Sequence, residues 1–513
     1  MRYKKRSIMR FSPPVWAALA AALTVASCGG GSSSSSSVTP SGTSGGPVPS
    51  AAELALLPMS VASPSQFIAP LDTATLKRAT AAPAAVSAVS HLPAGARTAR
   101  VSLGPLPAAL KSAAAGRSGA ALQIGQARSV SATATPAGLA AQWAWQALPD
   151  GGQVAAVAFD TADAQGVRLG VLARSVPDGA VLRFHGAASD AVVEVTAADV
   201  AALRQVNEAS GLSGDAAATV WGPDTDGSVS TLEVQLPPGT SPDRLQLAVP
   251  RLSHLTQTVA QAVQSPEKAV NQIGDGGSCN VDVMCTPYQS EGRAVAKMVF
   301  SEQGNTYLCS GTLLNDARAS QTPYFLTAAH CISDQAAAST LITYWFFRAP
   351  SCNASPALDA AATRLIGGAQ LLYTRASYDA TLLRLNQQPP ANVVYAGSYS
   401  GPGAVAGVDV LGVHHPAGDL QKASVGTLLG YANCGSGNCT RASTGSMLEV
   451  AWRTGVTEGG SSGSAMFAQS GGIRYVVGTL YGGASSCQNP TGSDYYGRLE
   501  LSFADGIGRL LGR

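Results

Sequence analysis

The distribution of nine cysteines constrains the fold of this 513-residue chain more than any other feature. One lies near the beginning, at Cys28, and the other eight lie beyond residue 278. An even, clustered set of cysteines in an exported chain indicates a framework of disulfides. Zinc binding is the alternative, but the chain has no Cys-x-x-Cys pair and its histidines lack a matching spacing. We therefore predict a disulfide-bonded domain that contains Cys279, Cys285, Cys309, Cys331, Cys352, Cys434, Cys439 and Cys487.

The first 28 residues have the pattern of a signal peptide for export. Basic residues up to Arg10 precede an apolar run, Val15–Ala26, which is too short to span a bilayer. The V-A-S-C sequence that ends at Cys28 resembles a bacterial lipobox, which implies a Gram-negative envelope and a lipid on this cysteine. Because Gly29 rather than aspartate follows, we expect the outer membrane. The alternatives are an ordinary cleaved signal with a stray cysteine, or an extracellular protein after processing.

Composition and periodicity divide the rest of the chain. Residues 29–50 are rich in Gly, Ser and Pro and are expected to be a linker. Short alternating runs separated by turns predict a β-sandwich-like N-terminal domain over residues 51–250, with one helix at Ala197–Ala209. Residues 251–276 are expected to be a second linker, which leads into a domain at 277–513. The N-terminal domain carries no nucleophile and base, so we expect a pro-domain, a spacer or an accessory module.

Charged residues make up only 12% of the chain, and the net charge is +2. This balance gives no electrostatic basis for binding nucleic acid. No motif indicates a cofactor or a metal: His414 and His415 are adjacent, and neighbouring side chains of a strand point to opposite faces. We expect a monomer whose partners are polypeptide substrates, with membrane contact only through an N-terminal lipid.

Three stretches of the second half carry the residues that nucleophilic catalysis needs. Ser462 lies in the Gly/Ser-rich turn 457–467, where the N–H groups of Gly460 and Ser462 can form an oxyanion hole. A serine needs a base with a pKa near 7, and the base needs a carboxylate to fix its tautomer. His330 follows an apolar run in T-A-A-H-C, and Asp379 precedes another in D-A-T-L-L. The alternatives are a surface loop for the serine, a core histidine, and a strand cap for the aspartate.

The order His330, Asp379, Ser462 and the motifs around them resemble the trypsin-like (chymotrypsin-fold) serine proteases. The stretches C-N-V-D-V-M-C, L-C-S-G-T-L, G-G-A-S-S-C and S-D-Y-Y-G-R are similar to those of the bacterial lysyl endopeptidases. The resemblance covers about 277–513 and implies an all-β fold with two antiparallel six-stranded β-barrels and the triad between them. It also implies three disulfides and leaves the last two cysteines to pair with each other: Cys279–Cys487, Cys285–Cys352, Cys309–Cys331 and Cys434–Cys439.

The same resemblance assigns the S1 pocket, which receives the substrate side chain before the cleaved bond. Asp494 takes the place of the pocket carboxylate, which selects a basic side chain, while Tyr481, Gly482 and Gly483 line the pocket. The alternative for Asp494 is a carboxylate on a surface loop. Lysyl endopeptidases have a histidine at the position of Tyr481, so we expect cleavage after Lys with Arg also accepted.

The residue before the proposed nucleophile is Ser461, where trypsin relatives often have an aspartate that pairs with a freed ammonium. Activation is therefore expected to need removal or displacement of the N-terminal half, with Lys268 as a candidate cleavage site. The predicted function is that of an exported serine endopeptidase. The alternatives are a catalytically silent binding protein on a protease scaffold and an esterase, which the lack of G-x-S-x-G around Ser462 disfavours.

Overall fold

The computed structural model describes residues 46–60, 64–76, 88–107, 110, 120–257, 276–354, 357–402, 404–435 and 437–513. The predicted signal peptide, Cys28 and the predicted cleavage site at Lys268 lie outside these residues. Within the described ranges, no helix has both the length and the apolar character needed to cross a membrane.

The first described residues pack on the C-terminal half of the chain. They contain helix α1 (Ala51–Leu54) and strands β1 (Phe67–Ile68) and β2 (Leu71–Asp72). The side chains of Leu54, Met59 and Ile68 are buried in apolar clusters of the C-terminal half. This differs from the domain expected at residues 51–250, because these apolar side chains complete the core of the other domain.

Residues 88–257 form the N-terminal domain. Its strands are β3 (Ala99–Leu103), β4 (Leu122–Ser129), β5 (Gln146–Ala147), β6 (Gln153–Thr161), β7 (Gly166–Ser175), β8 (Val181–Gly186), β9 (Val192–Thr196), β10 (Thr219–Trp221), β11 (Thr225–Asp226), β12 (Val229–Leu236) and β13 (Gln246–Leu255). Its α-helices are α2 (Pro136–Ala140), α3 (Ala197–Ala209) and α4 (Gly214–Ala217). The predicted helix at Ala197–Ala209 is confirmed. Strand β13 crosses the linker boundary expected at residue 250, because Leu252 and Leu255 are buried.

Two sheets of this domain enclose one apolar core. One has the order β3-β6-β12-β8-β9, with β5 beside β6. The other contains β10-β7-β13-β4. Phe159, Phe184 and Leu232 from the first sheet pack in the same cluster as Leu169 and Leu252 from the second. Two sheets around a shared core form the layered arrangement expected of a sandwich.

Residues 276–513 form the C-terminal half. Its strands are β14 (Val281–Asp282), β15 (Val295–Glu302), β16 (Asn305–Leu314), β17 (Tyr324–Thr327), β18 (Ile342–Trp345), β19 (Thr363–Leu365), β20 (Ala369–Arg375), β21 (Ala380–Leu385), β22 (Val394–Tyr395), β23 (Ser398–Tyr399), β24 (Asp409–His414), β25 (Lys422–Gly435), β26 (Asn438–Ala442), β27 (Met447–Thr454), β28 (Ala465–Ser470), β29 (Ile473–Gly483) and β30 (Ser493–Arg498). Its α-helices are α5 (Gln289–Gly292), α6 (Gln335–Ala338), α7 (Leu499–Ser502) and α8 (Gly508–Leu510).

Six strands of this half close into an antiparallel barrel. The pairings run β24-β25-β27-β30-β29-β28, and β28 pairs back with β24. Val410, Leu428, Val450, Val477 and Tyr496 come from five of these strands and share one buried cluster. This matches one of the two six-stranded barrels that the resemblance implies.

Seven further strands of this half form an open sheet. Their order is β19-β18-β15-β16-β17-β21-β20, and no strand pairing joins β19 to β20 in the described part of the chain. Among the described residues, strand pairing therefore closes one barrel, where two were expected. The N-terminal domain extends the same sheet through β4. Strand β16 pairs with β17 at residues 312–314 and with β4 at residues 306–308.

Candidate active site

His330 and Asp379 come together at the ends of two neighbouring strands. The histidine follows β17 and the aspartate directly precedes β21, and these strands pair with each other. The Asp379 carboxylate accepts the His330 backbone N–H at 2.9 Å and lies 2.7 Å from His330 Nδ1. Asp379 is only 3% exposed and has a positive φ of 46°, so the backbone itself is bent to present the carboxylate. This contact holds the imidazole with Nε2 as the atom left for chemistry.

Ser462 lies in a tight turn that leads into β28. Its carbonyl accepts the N–H of Ser310 at 2.8 Å, which ties the turn to β16. The flanking Gly460 and Gly463 have φ values of +94° and +81°. An added methyl group at Gly463 would lie 2.2 Å from Thr327 Oγ1, so both the backbone angle and the space require glycine.

The groups that would take part in acyl transfer have no hydrogen-bond partners among the described residues, and this includes Ser462 Oγ as a partner for His330 Nε2. His330 Nε2 is buried and has no hydrogen-bond partner among the described residues. The N–H groups of Gly460 and Ser462 likewise donate to no other residue in the described ranges. Unpaired buried donors are costly unless a ligand satisfies them. The turn therefore has the free donors that an oxyanion hole needs.

The side chain of Ser461 forms a hydrogen bond with a buried histidine, His414, and nothing in the sequence indicated this contact. His414 Nδ1 lies 2.8 Å from Ser461 Oγ, and His414 Nε2 lies 3.0 Å from Ser424 Oγ. Because Ser424 donates its hydroxyl to the Val456 carbonyl, Nε2–H of His414 must be the donor and Nδ1 the acceptor. Burial lowers the pKa of His414 to about 3, which keeps the ring neutral in this arrangement. Only the adjacency of two histidines was visible in the sequence.

Glu458 links the same turn to the start of the C-terminal half. Its Oε2 accepts the N–H of Gly277 at 2.9 Å and the side-chain amide of Asn280 at 3.1 Å. Its backbone N–H donates to Ser461 Oγ at 3.2 Å. Ser461, the residue before the proposed nucleophile, is therefore positioned by hydrogen bonds. The ion pair of trypsin relatives was excluded at this position because the residue is not an aspartate.

Asp494 is completely buried on β30, which pairs with β27 on one side and β29 on the other. Its Oδ2 accepts hydrogen bonds from Trp452 Nε1 at 2.6 Å, Thr457 Oγ1 at 2.6 Å and Ser485 Oγ at 2.5 Å. Its Oδ1 accepts a single hydrogen bond in the described chain, from the Ser485 N–H at 3.2 Å. Burial raises the pKa of Asp494, and the hydrogen bonds from Ser485, Thr457 and Trp452 oppose the rise. The alternative of a surface aspartate is wrong, since its exposed fraction is 0%.

The other predicted pocket residues lie between Asp494 and His330. A methyl group at Gly483 would lie 2.4 Å from Asp494 Oδ1, so glycine alone leaves room beside the carboxylate. Gly482 has a φ of +129°. The ring of Tyr481 meets that of His330 edge-on, with 5.9 Å between their centroids. Strand β29 therefore brings the predicted pocket and the predicted base together.

Four disulfides cross-link this half: three are those that the resemblance implies, and the fourth joins the two cysteines that it left over. Cys309–Cys331 places a bridge directly after His330, and Cys279–Cys487 joins the start of the domain to the loop after Gly483. The other two are Cys285–Cys352 and Cys434–Cys439. Cys309, His330 and Cys331 are also the one group of close potential metal ligands in the described ranges. A disulfide offers no thiolate to a metal, so the oxidised site does not suit one.

The N-terminal domain reaches this site through β4. Leu122 pairs with Leu308 on β16, two residues before the Ser310 that binds the Ser462 carbonyl. A methyl group added to Gly459 would lie 3.4 Å from the Leu122 side chain. The beginning of β4 therefore lies against the turn that carries the proposed nucleophile.

Solved structures with partial likeness are proteases. An HtrA-type protease with a tripeptide has 16% identity and a TM-score of 0.30, covering 44% of this chain and 62% of that chain. The active form of the Rv3671c protease from M. tuberculosis has 15% identity and a TM-score of 0.30, covering 44% and 87%. At such TM-scores the likeness carries no weight.

Sequence comparison covers far more of the chain. Residues 273–497 match the family described as "Lysyl endopeptidase, C-terminal domain", and residues 102–256 match "Lysyl endopeptidase N-terminal domain". A lysyl endopeptidase of Pseudomonas aeruginosa is 34% identical over 380 residues, which are 71% of this chain and 76% of that protein. With both family regions present in order, and with such a relative, the chain belongs to the lysyl endopeptidase family of serine endopeptidases.

Proposed function

We propose that this endopeptidase cuts polypeptides after Lys, with Arg also accepted, through an acyl-enzyme formed on Ser462. The observation that carries the proposal is the double contact between Asp379 and His330 beside the Ser462 turn. A carboxylate on Nδ1 fixes the tautomer in which Nε2 is a base, which is the form that activates a serine hydroxyl.

The chemistry proposed for these groups is that of a serine–histidine–aspartate triad. His330 Nε2 takes the hydroxyl proton as Ser462 Oγ bonds to the substrate carbonyl carbon, and the carbonyl oxygen becomes an oxyanion. The N–H groups of Gly460 and Ser462 stabilise that charge. The imidazolium, stabilised by Asp379, gives its proton to the leaving amine as the peptide bond breaks. Water then attacks the ester carbonyl while His330 Nε2 takes its proton, and Ser462 Oγ leaves as it receives that proton back.

Selection of a basic side chain is assigned to Asp494. A buried carboxylate gains most from a cationic partner, because an isolated charge is costly away from water. Three hydrogen bonds hold Oδ2, while Oδ1 retains accepting capacity beside Gly483. A substrate ammonium at Oδ1 would find a preoriented charge partner.

The N-terminal domain is proposed to be an inhibitory pro-domain. In support, β4 occupies the edge of β16 beside the Ser462 turn, where an extended substrate would otherwise pair. The two domains also share buried polar contacts: Arg168 donates to Ser301 Oγ at 3.0 Å, and Tyr344 donates to Asp224 at 2.7 Å. Export and anchoring through Cys28 complete the proposal, supported by the signal-like N-terminus and by the disulfides.

The test compares the intact chain with a chain whose N-terminal domain has been cut away, on an unstructured protein substrate. Mass spectrometry maps the cleavage sites, and Ser462→Ala is the control for contaminating proteases. Cuts after Lys by the processed form alone support both the specificity and the inhibitory role. Equal cutting by the intact form would refute the inhibitory role of the N-terminal domain. Cuts after residues that are not basic would refute the assignment of the pocket to Asp494. Absence of Ser462-dependent cutting would favour a binding protein on a protease scaffold.

A further inference from the structure

We propose that residues 46–60 and 64–76, here called the N-terminal strap, are a permanent part of the catalytic half. The strap stays bound to that half without a covalent link after the chain between them is cut. It lies outside both regions that match the family, which begin at residues 102 and 273.

Strand pairing joins the strap to the catalytic half in two places. In β1, Phe67 pairs with Tyr399 of β23, and β23 in turn pairs with β29 of the closed barrel. In β2, Leu71 pairs with Tyr395 of β22. An added strand gains main-chain hydrogen bonds along the edge of a sheet, as a bound peptide does.

Apolar side chains of the strap complete the core of the catalytic half. Ile68 is 2% exposed, Met59 is 4% exposed and Leu54 is 6% exposed. The ring of Phe67 packs on Tyr399 and on Tyr475, with 4.5 Å and 4.3 Å between the centroids. Removing the strap would expose both its own apolar side chains and those that they cover.

Three arginines form hydrogen bonds to the strap. Arg293 donates to both carboxylate oxygens of Asp72, at 2.9 Å for one of them. Arg453 donates to the carbonyls of Glu53 and Ala55. At the end of the chain, Arg513 donates to the carbonyls of Ser65 and Phe67. The arginines that provide these contacts all belong to the catalytic half, so the strap does not depend on the N-terminal domain for them.

This arrangement separates two consequences of processing. Cuts within residues 77–87 and 258–275 would release the N-terminal domain from both neighbours in the chain, while the strap would remain on the catalytic half. Cys28 precedes Gly46 by 18 residues (46 minus 28). A lipid on this cysteine would then retain the mature protease at the membrane. That consequence rests on the anchoring proposed above, whereas the hold of the strap on the catalytic half does not.

The test uses residues 29–513 with Ser462→Ala, so that no self-cleavage occurs, and with an affinity tag at the N-terminus. Recognition sites for an unrelated site-specific protease are inserted within 77–87 and 258–275. After complete cutting, the tag is captured and washed. We expect the catalytic half to be retained with the tagged strap. A strap that stays on the resin while the catalytic half is washed away would overturn the proposal.

A pair of variants tests which contacts hold the strap. Ile68→Asp places a charge in the core, whereas Leu57→Asp changes a strap side chain that is 66% exposed. We expect Ile68→Asp to release the catalytic half at least tenfold faster, and Leu57→Asp to retain it like the unmodified strap. Equal retention by both would overturn the proposal that barrel contacts hold the strap. If Ile68→Asp fails to fold, the capture experiment with the unmodified strap still tests the proposal. Neither experiment measures activity or requires the lipid.

Discussion

Replacing Asp494 with asparagine tests the specificity pocket most directly, because it removes a charge while keeping the shape. The carboxylate is completely buried, so a lysine ammonium that enters the site loses its charge partner away from water. Removing one partner of a buried ion pair costs about 3–5 kcal/mol. At about 1.36 kcal/mol for each tenfold change, kcat/KM for a Lys substrate should fall roughly 10²- to 10⁴-fold.

The same substitution should also lower the free energy of unfolding. An amide nitrogen at either oxygen position meets a donor, either the N–H of Ser485 or one of the three groups on Oδ2. One unsatisfied buried donor costs about 1–3 kcal/mol. Urea unfolding would measure this loss and establish the conditions under which the variant is fully folded.

The assay measures kcat/KM on processed, active-site-titrated enzyme with substrates that differ only in having Lys or an uncharged isostere before the cleaved bond. The ratio of the two values isolates the pocket charge from any general loss of activity. Glu449→Gln is the matched control, because this carboxylate is also buried but pairs with Arg441 and Ser493 instead. An unchanged Lys preference in Asp494→Asn, in folded protein, would refute the assignment of the pocket.

Three further predictions follow from the site and the turn around it. Asp379→Asn should lower kcat by about four orders of magnitude, because the amide stabilises the wrong histidine tautomer. Gly463 and Gly472 have nearly the same φ, +81° and +80°, but an added methyl group meets atoms within 3 Å only at Gly463. Gly463→Ala should therefore abolish activity, while Gly472→Ala should lower the free energy of unfolding by only about 1–2 kcal/mol. His414 and His415 are buried with pKa values lowered to about 3, so unfolding free energy should fall as pH drops from 6.5 towards 3, by up to about 1.4 kcal/mol per pH unit for each.

Each of these has a result that contradicts it. Asp379→Asn with wild-type turnover would show that the contact with His330 is only structural. Equal destabilisation by the two glycine variants, measured by urea unfolding, would mean that the positive φ alone sets the cost and that the close contacts at Gly463 add nothing. For the histidines, the free energy of unfolding falls with pH because the unfolded chain binds protons below pH 6.5 while the folded chain does not. His415→Gln should reduce the slope between pH 6.5 and 4, and an unchanged slope would contradict the argument.

The linear sequence determined the parts of this protein that depend on short stretches of residues. The contexts of His330, Asp379 and Ser462 were sufficient to predict the chemistry, because each residue lies at the end or beginning of an apolar strand. The bounds predicted for helix α3 match the structure, in which the Thr196 hydroxyl caps its start. The family resemblance supplied three of the four disulfide pairings, and the fourth joins the two nearby cysteines that were left, Cys434 and Cys439.

Only the tertiary structure decided which distant segments share a core or an edge. The strap was expected to belong with the N-terminal domain, but Ile68 is buried in the catalytic half, and no local pattern says which core an apolar residue will enter. The pairing of Leu122 with Leu308, and the hydrogen bonds from His414 to Ser461 and Ser424, join residues that are far apart in the chain. Short stretches of sequence specify local geometry and chemistry, whereas burial and partner choice depend on the free energy of the whole packed chain, and so they emerged only with the fold.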